Sequence, residues 1–168
     1  MRISELNALD QASFIALLAN IYEHSPWVAE CASFQRPYTE IASLATAMRE
    51  CVRSADRSVQ LTLIRAHPEL AGKLAIKGSL TAASRSEQAA AGLNNCTAEE
   101  FALLSSLNRT YQERFNFPFI VAVRDMNKAR IIAGMEARLT NTVDQEIVTA
   151  LNEIGRIANF RLYDMIAD

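Results

Sequence analysis

An all-α fold is what this sequence predicts, and three observations carry the prediction. Alanine, the strongest helix former, occurs 27 times in 168 residues. Apolar residues recur at three- and four-residue spacings along most of the chain, as one face of an α-helix requires. A single stretch, Phe119-Ile120-Val121-Ala122-Val123, is continuously apolar and β-branched, the pattern of a short strand or a buried extended segment. Half of the residues are hydrophobic, enough for a real core at a length typical of one domain. No repeat, linker or change of composition divides the chain. The expectation is a single-domain helical bundle over residues 1–168, of about eight helices with one short extended segment.

Each element has a local reason. Asp10 is placed to N-cap a first helix whose face is Phe14, Leu17, Leu18 and Ile21. Ser25-Pro26 opens a second, because proline suits the first helical position. Ile41, Leu44, Met48 and Val52 trace a third stripe capped near Thr39, and Val59, Leu63 and Ile64 a fourth. The stretch from Ser84 to Leu93 is a fifth, ended by Gly92 or Asn94, with Ser84-Arg85-Ser86-Glu87 reading as its capping box. Thr97-Ala98-Glu99-Glu100 is a second capping box, for a helix bearing Phe101, Leu104, Leu107 and Tyr111 that Asn116-Phe117-Pro118 breaks. Asn127 starts a helix through Ile131, Met135 and Leu139, and Thr142 to Gln145 caps a long final one. The longest irregular part is the loop from Ala71 to Ala83.

Composition excludes several classes of function. Lys+Arg (17) nearly balance Asp+Glu (19) for a net charge of −2, which leaves no cationic footprint for nucleic acid. No apolar run approaches the ~20 residues that span a bilayer, and neither terminus reads as a targeting signal. Cys31, Cys51 and Cys96 are odd in number and far apart, without a C-x-x-C, which indicates buried core thiols rather than a disulfide framework or a zinc knuckle. With two histidines, His24 and His67, and no H-E-x-x-H, a metal site is hard to assemble. Glycine-rich nucleotide cradles are absent, and only Lys73, Lys77 and Lys128 are available for a Schiff base. A soluble cytoplasmic protein that works without metal or cofactor is expected.

Three residues sit where stability alone does not ask for them. On the final helix, Ile147, Leu151, Ile154, Ala158 and Met165 form one stripe, and Arg161 lies within about 40° of its centre. A guanidinium there needs an anion or several acceptors: either an internal ion pair, or a clamp for a ligand carboxylate. His67 follows Leu63 by four residues and precedes Pro68, so it ends the fourth helix. It reads either as a core or capping histidine or as a proton donor, since helix C-termini favour the imidazolium. Glu87 has its capping job, yet a helix N-terminus is also a place where polar ligand groups bind, and Gln88 adds an amide there.

Several stretches occur in a fixed order: Glu23-His24-Ser25-Pro26-Trp27-Val28-Ala29, Arg36-Pro37, His67-Pro68-Glu69-Leu70-Ala71-Gly72-Lys73, Ser84-x-x-Glu87-Gln88 with Ala91-Gly92-Leu93, Phe115-Asn116-Phe117-Pro118-Phe119-Ile120, and finally Arg161. Together they resemble the 2-oxo-4-hydroxy-4-carboxy-5-ureidoimidazoline (OHCU) decarboxylases of urate degradation. The resemblance implies an all-helical homodimer that needs no cofactor and decarboxylates its unstable substrate to (S)-allantoin. It makes His67 the proton donor and Arg161 the substrate-binding arginine. It makes Pro68, the segment Ser84, Arg85, Ser86, Glu87 and Gln88, and the segment Phe119, Ile120, Val121, Ala122 and Val123 substrate-contacting. Glu87 is the residue expected to orient or share the proton of His67. Two departures are visible, Glu69 where the family often has Asp and Asn116 where Gly is common. The alternative of a different class is a non-catalytic helical interaction module; a ureide hydrolase would need an activated serine or a metal-bound water, for which no partner set is evident.

Overall fold

In the computed structural model, residues 1–70, 81–124 and 126–167 are described, so the 71–80 part of the expected Ala71–Ala83 loop lies outside the described residues. The described residues form nine helices and no strand: α1 Ile3–Asn7, α2 Gln11–Leu18, α3 Pro26–Ser33, α4 Ile41–Ser54, α5 Arg57–Ala66, α6 Ala82–Ala90, α7 Ala98–Phe115, α8 Lys128–Arg138 and α9 Val143–Met165. The all-α prediction holds, and the additional element is the five-residue α1. The helices divide into two compact units, one of Met1–Ala66 with Leu151–Asp168, the other of His67–Ala150.

In the first unit the two ends of the chain meet. Ile3 N–H donates to the Ala167 carbonyl at 3.2 Å and Ala167 N–H to the Met1 carbonyl at 2.8 Å. The Asp10 cap is as expected, its carboxylate accepting from Ser13 N–H at 2.8 Å. Pro26 takes the first position of α3. The cap of α4 is Glu40, one residue beyond the expected Thr39. Arg36 closes α2 onto α3: it donates to the carbonyls of Leu9 (2.7 Å) and Ser33 (3.2 Å) and lies 4.7 Å from the centre of the Phe14 ring. Asn7 and Tyr38 exchange reciprocal hydrogen bonds of 2.7 and 2.9 Å.

The cysteine expectation is corrected here. Cys31 on α3 and Cys51 on α4 form a disulfide, which leaves Cys96 as the free thiol. α3 packs against α4, which brings the two Cα atoms to 6.1 Å, inside the range a disulfide spans. Spacing along the chain carries no information about register between packed helices, so an odd count and a wide separation could not exclude this pair.

In the second unit α6 starts a turn earlier than expected. Thr81, not Ser84, is its N-cap, with the Thr81 hydroxyl accepting from Ser84 N–H at 3.3 Å. Thr81 offers the same capping chemistry, and the two alanines after it favour helix, so the helix extends back to it. The Ser84–Glu87 capping box is therefore absent, and Glu87 lies in the helix interior. Gly92, at φ +77°, ends α6 as expected; the left-handed turn lets Leu93 N–H reach back to the Gln88 carbonyl at 3.1 Å.

The Thr97–Glu100 capping box of α7 is present. Its buried stripe is Leu104, Asn108, Tyr111 and Phe115. Phe101 is exposed and Leu107 half-buried, so the expected stripe was rotated by part of a turn. Asn116 adopts the left-handed conformation (φ 59°, ψ 30°), which Asn tolerates better than most residues. That turn feeds Phe117 and Phe119 into a ring cluster with Tyr111 and Phe115, Phe119 meeting Tyr111 edge-on at 5.3 Å. Phe119–Val123 is extended and mostly buried without strand pairing, the second of the two forms anticipated. Asn127 caps α8, and Thr142 and Gln145 exchange the hydrogen bonds that cap α9.

Candidate active site

Pro68 disfavours the helical region for the residue before it, so α5 stops at Ala66 and His67 occupies the bend that follows. The imidazole is buried, at 7% exposure. Two neutral amides hold the backbone just beyond it. Gln88 of α6 donates to the Glu69 carbonyl at 3.4 Å, and Asn108 of α7 donates to the Leu70 carbonyl at 2.9 Å. The turn carrying the histidine is thus tied by side chains rather than by regular secondary structure.

Helix α6 divides the expected Ser84–Gln88 set by its period. Ser84 and Gln88 are buried, and Glu87, three positions from Ser84, is half-buried beside them. Arg85 and Ser86 are exposed. With capping given over to Thr81, Ser84, Glu87 and Gln88 make one polar face on an alanine-rich helix.

The extended segment rests on a buried polar cluster that the sequence reading did not contain. Glu146, in the first turn of α9, is wholly buried, a position where the helix dipole favours a carboxylate. It accepts from Arg138 Nε at 2.8 Å and from Arg138 Nη2, from the Tyr111 hydroxyl, and from Asn141 Nδ2 at 2.7 Å. Arg138 Nη1 donates in turn to the Ile120 carbonyl at 2.7 Å, and the guanidinium lies 4.4 Å from the centre of the Phe119 ring. Burial, with Glu146 as its hydrogen-bond partner, pushes the Tyr111 phenol far above its ordinary range.

Arg161 belongs to the other unit. It is 8% exposed in the stripe predicted for it, and the internal ion pair is what the structure contains: Nη1 lies 2.9 Å from Glu23 Oε2 and donates to the carbonyls of Asn20 (3.3 Å) and Ile21 (3.4 Å). Glu23 is 2% exposed. It precedes His24, whose positive φ of 47° turns the chain into the Ser25-Pro26 start of α3. Glu23, Asn108, Arg138 and Glu146 were all missed. Asn108 alone left a signal, a polar residue on an apolar stripe, the same one that exposed Arg161. Among the described residues no cluster of His, Cys, Asp or Glu could hold a metal ion, and no helix is long and apolar enough to cross a membrane.

The chain is similar to known proteins over nearly its whole length. The sequence model of the OHCU decarboxylase family matches residues 7–163. The 2-oxo-4-hydroxy-4-carboxy-5-ureidoimidazoline decarboxylase of Haloferax volcanii is 42% identical over 162 residues, covering 96% of this chain and 94% of that protein. The mouse protein of the same name is 34% identical over 166 residues, covering 99% of this chain and 93% of its own. A Bacillus uric acid degradation bifunctional protein is 40% identical across the whole chain, which spans 33% of its length. The crystal structure of an (S)-allantoin synthase superposes with a TM-score of 0.81 at 29% identity, over 99% of this chain and 54% of that one. These similarities establish that the chain belongs to the OHCU decarboxylase family of enzymes.

Proposed function

We propose that the chain decarboxylates 2-oxo-4-hydroxy-4-carboxy-5-ureidoimidazoline to (S)-allantoin, as a cytoplasmic homodimer that needs neither metal nor cofactor. The reading is supported most directly by His67, a buried imidazole on a turn tied to the same α6 face that carries Glu87. Loss of carbon dioxide leaves an electron pair on carbon. The conjugated ring of this substrate delocalises that charge itself, so the protein has to grip a planar polar molecule, stabilise the developing charge and deliver one proton to one face.

His67 is the general acid–base, and Glu87 orients it or shares its proton. Glu87 stands inside α6, whose N-cap is Thr81. Ser84 and Gln88 share its face and, with Pro68 and the more exposed Arg85 and Ser86, contact the substrate. Backbone N–H groups of Phe119–Val123 bind ring carbonyls without reorganisation. Arg161 grips the substrate, its guanidinium oriented by Glu23.

The test is a coupled assay in which urate oxidase and the hydrolase that follows it generate the substrate, and the rate and handedness of allantoin formation are recorded. His67→Ala should lose about 10²–10⁴-fold in rate, the usual contribution of positioned proton transfer, together with the stereochemical bias. Its helical circular-dichroism spectrum should be unchanged. A folded His67→Ala protein with the wild-type rate would remove His67 from the chemistry.

A further inference from the structure

The cluster around Glu146 is expensive for a stabilising device. A buried carboxylate–guanidinium pair is often no better for stability than apolar side chains of the same volume, so what the pair holds in place is the informative part. Arg138 spends Nε and Nη2 on Glu146 and turns Nη1 to a single backbone atom, the Ile120 carbonyl, while its guanidinium carbon lies over the ring of Phe119. Tyr111 and Asn141 complete the carboxylate's hydrogen bonds, so Glu146 and with it Arg138 are fixed from three elements. The outcome is one peptide plane held rigidly in a stretch without ladder partners.

In a trans peptide the C=O and the following N–H point in opposite directions. Pinning the Ile120 carbonyl toward Arg138 therefore directs the Val121 N–H away from it. Val121 is the half-exposed residue of an otherwise buried run from Phe117 to Val123. Its N–H makes no hydrogen bond to another described residue.

We infer that Arg138, charge-compensated by Glu146, is a positioning residue that aims the Val121 N–H at a carbonyl oxygen of the bound ureide. The inference rests on the decarboxylase reading above. Arg138 does not touch the substrate; it acts through the 120–121 peptide, and the interaction it prepares is made to substrate and product alike. Loss of that donor weakens binding throughout the reaction and leaves the chemical step nearly intact.

Arg138→Ala alone would strand a buried carboxylate and fail to fold, so two other variants carry the test. Arg138→Lys keeps the positive charge beside Glu146 but has no fork to span the carboxylate and the carbonyl together. The double variant Arg138→Met/Glu146→Gln removes both charges in one step. For each, KM and kcat per folded molecule are measured in the coupled assay, and the Kd of (S)-allantoin by calorimetry. In parallel, the Val121 amide is followed by NMR in protein labelled with [15N]valine, its signal identified by Val121→Ile. Wild type should show a downfield shift of the Val121 proton on adding (S)-allantoin. Both variants should raise KM and Kd together by about five- to tenfold, the worth of one hydrogen bond, with kcat changed by less than about threefold. Folded variants with wild-type KM and Kd, or a Val121 amide in wild type that ignores (S)-allantoin, would overturn the positioning role. A purely structural role would lower thermal stability without raising KM, and that result overturns it as well. Wild-type protein that neither forms allantoin nor binds it would overturn the decarboxylase reading and this role with it.

Discussion

Truncating Glu23 to alanine tests how Arg161 is held. Both members of the pair are almost fully buried, and the charged atoms are 2.9 Å apart. At that separation the Coulomb attraction is about 6 kcal/mol for an effective dielectric constant near 20, most of it offset by removing two ions from water. Deleting one partner leaves the offset without the attraction. Glu23→Ala should therefore cost about 3–5 kcal/mol, since the carbonyls of Asn20 and Ile21 are at 3.3 and 3.4 Å and cannot neutralise a full charge. For a chain of this length, that corresponds to a fall in Tm of roughly 6–20 °C, read by calorimetry or by helical circular dichroism. Glu23→Gln keeps the hydrogen-bond acceptor and should fall between wild type and Glu23→Ala. The double variant Glu23→Gln/Arg161→Met, which buries no charge, should recover most of the stability while failing to form allantoin. A Glu23→Ala protein that melts within about 2 °C of wild type would mean that Arg161 is solvated or compensated otherwise, and the claim that Glu23 orients it would fall.

The remaining predictions use the same instruments. Thr81→Ala should cost about 1 kcal/mol through loss of the α6 cap, whereas Ser84→Ala should leave that cap intact; the reverse order of melting temperatures would restore the Ser84 cap. Glu87→Gln, which keeps the size of the side chain and a hydrogen-bond acceptor, should lose most of the rate; an unchanged rate would leave Glu87 without a part in proton transfer. At alkaline pH, burial pushes the Tyr38 phenol up to about 12 from 10 and raises Tyr22 and Tyr111 further. The native state then holds protons that the unfolded state releases, so the stabilisation is complete below pH 10 and declines as pH rises through 12. Phenolate absorbance from these three residues should appear together with loss of helical signal, and its appearance in still-folded protein would contradict their burial.

Local chemistry made the helices legible. Asp10, Pro26, Asn127 and the Thr97–Glu100 and Thr142–Gln145 pairs each act within one turn, and each sits where its spacing placed it. The errors fall where two local solutions compete. Thr81 and Ser84 are both good caps, and nothing in either residue says that the two alanines between them tip the helix toward the earlier start. Phe101 and Leu107 fit a stripe as well as Asn108 and Phe115 do if asparagine is presumed to face water. The disulfide was out of reach for a different reason: it depends on the packing of α3 against α4, a relation between elements rather than within one.

The same division runs through the site. Arg161 and His67 could be singled out because each breaks a pattern in its own helix, one by entering an apolar stripe and the other by standing before proline. Glu23, Arg138 and Glu146 break none. Arg138 reads as an ordinary basic residue in a last turn and Glu146 as an ordinary acidic residue in a first turn, both of which the helix dipole favours. That local favourability conceals a burial cost that only their partners meet: Glu146 has no exposure at all and four donor groups around it. Arg161 and His67, the residues proposed to bear directly on the substrate, violate local rules and so advertise themselves. The residues proposed to aim the substrate-facing groups satisfy those rules and are found only when the tertiary hydrogen bonds are followed outward, from the Ile120 carbonyl to Arg138, from Arg138 to Glu146, and from Glu146 to Tyr111 and Asn141.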